Sequence, residues 1–239
     1  MNTLIEVRDL SKTFTLHQQH GVVLNVLRGV DFSVAAGECL VLHGQSGAGK
    51  STLLRTLYGN YLPAGGSIRV QHDGHWLELV GAEPRDILQV RQRTLGYVSQ
   101  FLRVIPRVAC LDLVMEPALA RGWSKQLAQS RAELLLSRLN IPQRLWQLAP
   151  GTFSGGEQQR VNIACGFMVT WPVMLLDEPT ASLDDTNRQV VLELMNEAKA
   201  AGAALIGIFH DRTAREAVAD RHLDMIPAAV NHEEYADAR

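Results

Sequence analysis

Residues 44–51 read Gly-Gln-Ser-Gly-Ala-Gly-Lys-Ser, which puts a lysine and a hydroxyl directly behind a run of spaced glycines. Such glycines let consecutive backbone N–H groups turn inward around an anion, at the start of a helix whose dipole favours negative charge. Lys50 then neutralises β and γ phosphates, and Ser51 offers its hydroxyl to Mg²⁺. A plain glycine turn before a helix is the bland alternative. With Gly at roughly 7% of residues, a chance match to four fixed positions is on the order of 1% for a chain of this length. The expected ligand is therefore ATP or GTP, held along Gly44, Gln45, Ser46, Gly47, Ala48, Gly49, Lys50, Ser51 and Thr52.

Two further strings have matching chemistry. The apolar run Val173, Met174, Leu175, Leu176 ends in Asp177 and Glu178. Asp177 suits Mg²⁺ held through water, and Glu178 suits an attacking water that must be oriented and polarised. Two acids at a strand end are more often solvated, but their position after a phosphate-binding loop raises the functional reading. Ser154, Gly155, Gly156 and Glu157 open what reads as a second helix with an anion-accepting N-terminus. Ser154 would serve equally as an ordinary N-cap.

The elements that must position these residues are legible from periodicity. Residues 4–7, 30–34 and 38–43 read as short strands, with a turn at 35–37. Residues 50–58 read as a helix, because Leu53, Leu54 and Leu57 are spaced to pack on a sheet. Strand, glycine loop and helix follow in the order that phosphate binding requires. Residues 67–80 predict a hairpin around Asp73 and Gly74, which suit a type I′ turn. From 101 to 140 the pattern turns helical, ending with 124–139, and about 101–160 reads as an inserted helical subdomain. Strands at 173–176 and 204–209 flank a helix at 186–201 closed by Gly202. After Arg221 the chain reads as a short polar tail. The fold class is α/β, with residues 1–239 as one domain.

Bulk properties narrow the function classes. The chain has 239 residues, 46% hydrophobic and 20% charged, with a formal net charge of -2. That balance is ordinary for a globular protein and supplies no basic field for nucleic acid or anionic membrane. Cys39, Cys110 and Cys165 lack metal-ligand spacing and read as reduced thiols in a cytoplasmic setting. Charges at Glu6, Arg8 and Asp9 interrupt any leader-like core, and no segment approaches the ~20 apolar residues of a spanning helix. Direct membrane insertion is not expected. His72 and His75, and His17 and His20, read as solvated surface pairs rather than metal ligands. Trp76, Trp123, Trp146 and Trp171 read as packing residues rather than base-stacking platforms.

The full string Phe153, Ser154, Gly155, Gly156, Glu157, Gln158, Gln159, Arg160, lying between the glycine loop and the acidic strand, resembles the signature motif of ATP-binding-cassette (ABC) proteins. Other family elements follow in order: Phe14, Gln100, the Ser182, Leu183, Asp184 string, and His210. The resemblance implies a P-loop NTPase (RecA-like) core of ABC type, with an antiparallel β subdomain and an inserted helical subdomain. It implies ATP and Mg²⁺ as cofactors, with Phe14 stacked on adenine and Ser51, Gln100 and Asp177 around the metal. Glu178 and His210 would be catalytic. Ser154, Gly155, Gly156, Glu157 and Asp184 would act in trans, on nucleotide held by a second subunit, so ATP would join a head-to-tail dimer. One departure is Cys165, where the family usually has arginine. It removes a charge and five donors, and the expectation is unchanged ATP binding with altered hydrolysis or dimer closure.

Strings outside the nucleotide site carry a finer resemblance. Residues 53–63, 96–107, 139–146 and 207–211 are similar to the L-type subunits of the bacterial carbon–phosphorus lyase (phosphonate utilisation) system. That implies a cytoplasmic accessory ATPase acting with the other carbon–phosphorus lyase subunits, in formation of α-D-ribose 1-methylphosphonate 5-triphosphate from ATP and methylphosphonate. The alternative is the ATPase subunit of a membrane transporter, similar to lipoprotein-releasing exporters or to phosphonate transporters. A third class is an ATP-gated interaction module with negligible turnover.

Overall fold

Strand residues Cys39, Leu40, Val41 and Leu42 are all buried, which only a strand covered on both faces permits. The computed structural model describes residues 2–16 and 22–226 and shows what covers them. In chain order the elements are β1 (Thr3–Leu16), β2 (Val22–Ala35), β3 (Cys39–His43), α1 (Lys50–Leu57), β4 (Gly65–His72), β5 (His75–Glu78), α2 (Pro84–Arg93) and β6 (Leu95–Val98). There follow α3 (Cys110–Leu119), α4 (Lys125–Arg138), α5 (Gly155–Gly166), β7 (Val173–Asp177), α6 (Asp185–Ala200), β8 (Ala204–Ile208), α7 (Arg212–Val218) and β9 (Arg221–Asp224).

Two sheets result. An antiparallel sheet has the order β2-β1-β4-β5, and a parallel sheet has the order β6-β7-β8-β3-β9. Strand parity divides the interior between them. Leu40, Leu42, Leu175 and Ile206 face a core shared with α1 and with Ile5, Val7, Ile68 and Val70 of the antiparallel sheet. Cys39, Val41, Met174, Leu176 and Leu205 face the opposite core, which α3, α4, α5 and α6 fill.

The α/β class stands, with the ABC architecture of one antiparallel and one parallel sheet. The hairpin forms as expected, with Asp73 at φ 47 and Gly74 at φ 86, the two positive values that a type I′ turn needs. Three expectations are corrected. Residues 101–109 are not helical, and the helical segment begins only at Cys110. The chain after Arg221 is not simply a polar tail, because β9 pairs with β3 from Leu40 and Arg221 to His43 and Asp224. His72 is not solvated; it is 4% exposed and its Nδ1 lies 2.6 Å from Thr94 Oγ1. His17 and His20 lie outside the described residues. Among those residues no helix is long and apolar enough to cross a membrane.

Candidate functional site

The segments singled out for chemistry leave the carboxyl ends of neighbouring parallel strands. The glycine loop follows β3, Gln100 follows β6, Asp177 ends β7 with Glu178 next after it, and His210 follows β8. Open α/β sheets bind ligands at that edge. Here it gathers residues spread from 44 to 210.

Glycine is required in the loop for steric reasons. Gly44 has φ 144, and a Cβ there would lie 2.5 Å from the Met225 carbonyl oxygen. Gly49 has φ 86 and would press a Cβ to 2.9 Å from the Val26 carbonyl oxygen. Gly49 also serves as N-cap of α1 with no side-chain cap and no acidic residue in the first turn. The first-turn amides thus have no internal anion, which fits a phosphate group. Lys50 Nζ meanwhile donates to the carbonyl oxygens of Gly44 at 2.7 Å and Gln45 at 2.8 Å.

Behind the loop, the Ser51 hydroxyl donates to Asp177 Oδ1 at 3.0 Å. Asp177 is fully buried, and burial pushes its carboxyl above the ordinary range, opposed by the hydrogen bonds from Ser51 and Tyr97. A hydroxyl and a carboxylate held together beside a phosphate loop are the donor set Mg²⁺ takes, with water completing its shell. Of the three residues expected at the metal, the structure brings Ser51 and Asp177 together, whereas Gln100 contacts Glu178.

Glu178 is the next residue and the strained one. Its φ is 56, a left-handed value disfavoured for glutamate. Its amide donates to the Ile208 carbonyl at 3.1 Å, and Gln159 Nε2 donates to the carbonyls of Glu178 and Pro179, each at 3.3 Å. β8 and α5 therefore brace the turn from two sides. The side chain contacts His210 Nε2 at 2.7 Å through Oε1, and accepts from Gln100 Nε2 at 3.4 Å through Oε2. Gln100, Glu178 and His210 form one connected group.

The signature string sits apart from it. Ser154 caps α5 in a full capping box: its hydroxyl accepts from the Glu157 amide at 3.3 Å, and Glu157 Oε2 accepts from the Ser154 amide at 2.8 Å and hydroxyl at 2.7 Å. Those bonds hold the Glu157 carboxyl below its ordinary value. Ser154 and Gly155 are exposed, and no hydrogen bond among the described residues joins them to the glycine loop of the same chain. A Cβ on Gly156 would lie 3.2 Å from the Ser182 carbonyl oxygen. Asp184 is the N-cap of α6 and accepts from the Asn187 amide at 2.8 Å.

Phe14 lies on β1, registered with Leu24, two residues before the Val26 that abuts Gly49. Its ring stands edge-on to Tyr61 at 5.2 Å, with Lys12 Nζ 4.6 Å from its centroid. Cys165 lies eleven residues after Ser154, about 16 Å along α5 at the helical rise, with its thiol 3.7 Å from the Leu113 carbonyl of α3.

Three contributors were given no individual role from the sequence: Tyr97, Asn162 and Gln159, the last named only as part of the signature string. Asn162 Nδ2 donates to the Ser99 carbonyl at 2.6 Å, tying α5 to the residue just before Gln100. Buried polar side chains at Gln159 and Asn162, on a helix otherwise packed by Val161, Ile163 and Ala164, were the available signal.

Comparison with known proteins agrees with this geometry. Residues 27–181 match the family described as ABC transporter. The lipoprotein-releasing system ATP-binding protein LolD of Idiomarina loihiensis is 33% identical over 234 residues, covering 98% of both chains. The macrolide export ATP-binding/permease protein MacB of Bordetella avium is 37% identical over 208 residues, which is 87% of this chain but only 30% of that protein. A bacterial ABC transporter cassette solved as a dimer superposes with a TM-score of 0.85 at 23% identity, covering 95% of this chain and 97% of that one.

Proposed function

The chain belongs to the ABC transporter family, and on that premise we propose that it is the MgATP-hydrolysing subunit of a larger machine, working as a head-to-tail dimer. The observation that carries this reading is the paired arrangement at the end of β7. Ser51 meets Asp177 at 3.0 Å, and His210 meets Glu178 at 2.7 Å on the adjacent residue. One pair suits a metal and the other suits a water.

In this mechanism the α1 amides and Lys50 hold the phosphates, Lys50 leaving the Gly44 and Gln45 carbonyls to do so. Mg²⁺, when bound, neutralises charge on the phosphate oxygens. Glu178 orients the attacking water and accepts its proton, while His210 and Gln100 fix the carboxylate's direction. Ser154 to Glu157, with Asp184, complete the site on the facing subunit. Closure follows nucleotide binding, and opening follows hydrolysis.

The relatives support a membrane transporter as the machine, of the kind their names describe: a lipoprotein-releasing system and a macrolide exporter. The near full-length match to the former makes a separate permease the expected partner, engaged from the cytoplasmic side. A second reading keeps the phosphonate role. It is favoured by the resemblance of 96–107 and the other strings outside the nucleotide site, but the transporter relatives above back the first reading better. Capture of the tagged full chain from its own cells decides between them. A membrane permease in the captured complex supports transport. A soluble complex that releases adenine from ATP and methylphosphonate overturns it in favour of phosphonate breakdown.

A further inference from the structure

Strand register gives Tyr97 a place at the metal side of the site that no motif predicts. β6 pairs with β7 so that Tyr97 lies opposite Leu175, and Asp177 is two residues further along the same face. The Tyr97 hydroxyl donates to Asp177 Oδ2 at 3.2 Å, while the Ser51 hydroxyl donates to Oδ1 at 3.0 Å. Each oxygen of one fully buried carboxylate thus has a neutral donor from a different element.

The tyrosine ring is itself fixed. It stacks on Tyr58 with centroids 5.0 Å apart and planes inclined by 30°. The Arg91 guanidinium lies 4.7 Å from the Tyr58 centroid, anchored on the Tyr58 carbonyl at 2.8 Å and Asn60 Oδ1 at 3.0 Å. Arg55, one turn beyond Ser51 on α1, donates Nη1 to the Tyr61 hydroxyl at 3.2 Å, and its charge lies near the Tyr97 hydroxyl. Ser51 and Arg55 stand at i and i+4, so one helix face supplies the direct donor to Asp177 and the support for the indirect one.

We propose that Tyr97 is a positioning residue for Mg²⁺: its hydrogen bond to Oδ2 fixes the plane of the Asp177 carboxylate, so that Oδ1 stays turned toward Ser51 and the metal's water. This deepens the MgATP reading and rests on it. Without the hydroxyl, a buried oxygen loses its partner and the carboxylate's terminal torsion, a soft one, is released. Outer-shell partners of this kind typically change metal affinity by about 10- to 100-fold.

The test uses the full chain with Glu178→Gln to stop turnover, with and without Tyr97→Phe. Mg²⁺ is titrated against binding of a fluorescent ATP analogue, and Mn²⁺ binding is read in parallel by electron paramagnetic resonance. The expected result is a metal midpoint raised about tenfold, with analogue binding in chelator unchanged and the melting temperature lowered by only a few degrees, as loss of one buried partner implies. An unchanged midpoint overturns the proposal, as does equal loss of binding with and without metal. Failure of Tyr97→Phe to fold also overturns it, by assigning the hydroxyl to the core. If the Tyr97 parent itself shows no metal-dependent nucleotide binding, the MgATP reading fails and takes this inference with it.

Discussion

The two anion-accepting helix ends of this chain are built in opposite ways. At α1 the N-cap is a glycine without a side chain, the first-turn amides are unclaimed, and the adjoining half-buried Ser51 is hydrogen-bonded to the fully buried Asp177. At α5 the N-cap is an exposed serine whose hydroxyl and amide are both held by Glu157. The first end has no internal anion and the second carries its own. In the dimer proposed above, the glycine cap is the end that would receive phosphate directly. The capping box is the end that would exchange one set of hydrogen bonds for another when a second subunit arrives.

The sharpest way to break that contrast is Glu178→Gln, which leaves both helix ends intact. Turnover is expected to fall by about 10²- to 10⁴-fold, measured as phosphate release, while MgATP binding persists and size-exclusion chromatography shows a trapped dimer. Persistent turnover or function in this variant would favour the ATP-gated module. Next comes complementation across the dimer. Lys50→Ala and Ser154→Arg are each expected to be inactive, and an equimolar mixture to recover roughly a quarter of normal turnover. Half of the randomly formed dimers are mixed, and each mixed dimer has one intact composite site. No recovery would place Ser154 and Lys50 of one chain in the same site.

Smaller effects test the link between the two ends. Gln159→Ala removes both donors to the Glu178 turn, and turnover is expected to fall by about 3- to 10-fold, in line with hydrogen bonds worth ~1 kcal/mol. Steady-state assay beside an unchanged MgATP affinity checks it. Cys165→Arg must place a longer side chain against α3. A lower melting temperature with normal MgATP binding is expected, and any loss of hydrolysis or dimer closure should track that destabilisation. The smallest effect concerns Asp184. Hydrogen bonds from Asn187 hold its carboxyl below the ordinary aspartate range, so the cap contributes fully at neutral pH and its contribution is lost as acid protonates the folded state. Thermal melts from pH 6 down to pH 3 are expected to converge for the parent and Asp184→Ala.

What the sequence disclosed follows from how local each feature is. The glycine loop, the Asp73-Gly74 turn and the Ser154 cap depend on residues within a few positions of one another, and each is readable on its own. β9 is a four-residue edge strand whose pairing with β3 is made by backbone, so its side chains carry no alternation. α2 escaped because Val90 is its one buried residue. His72 was readable and missed: it continues the inward alternation of Ile68 and Val70 on β4. Tyr97 depends on the register of two strands almost eighty positions apart, which no local pattern encodes.

The left-handed backbone at Glu178 has a consequence for how this protein can change. A non-glycine residue in that region costs about 1–3 kcal/mol, tolerated only where its surroundings enforce it. Selection for thermal robustness alone would place glycine or asparagine there and relieve the turn. With the role proposed for Glu178, the carboxylate there is a trade in which folding yields to chemistry, and position 178 becomes one where a more durable protein would be an idle one.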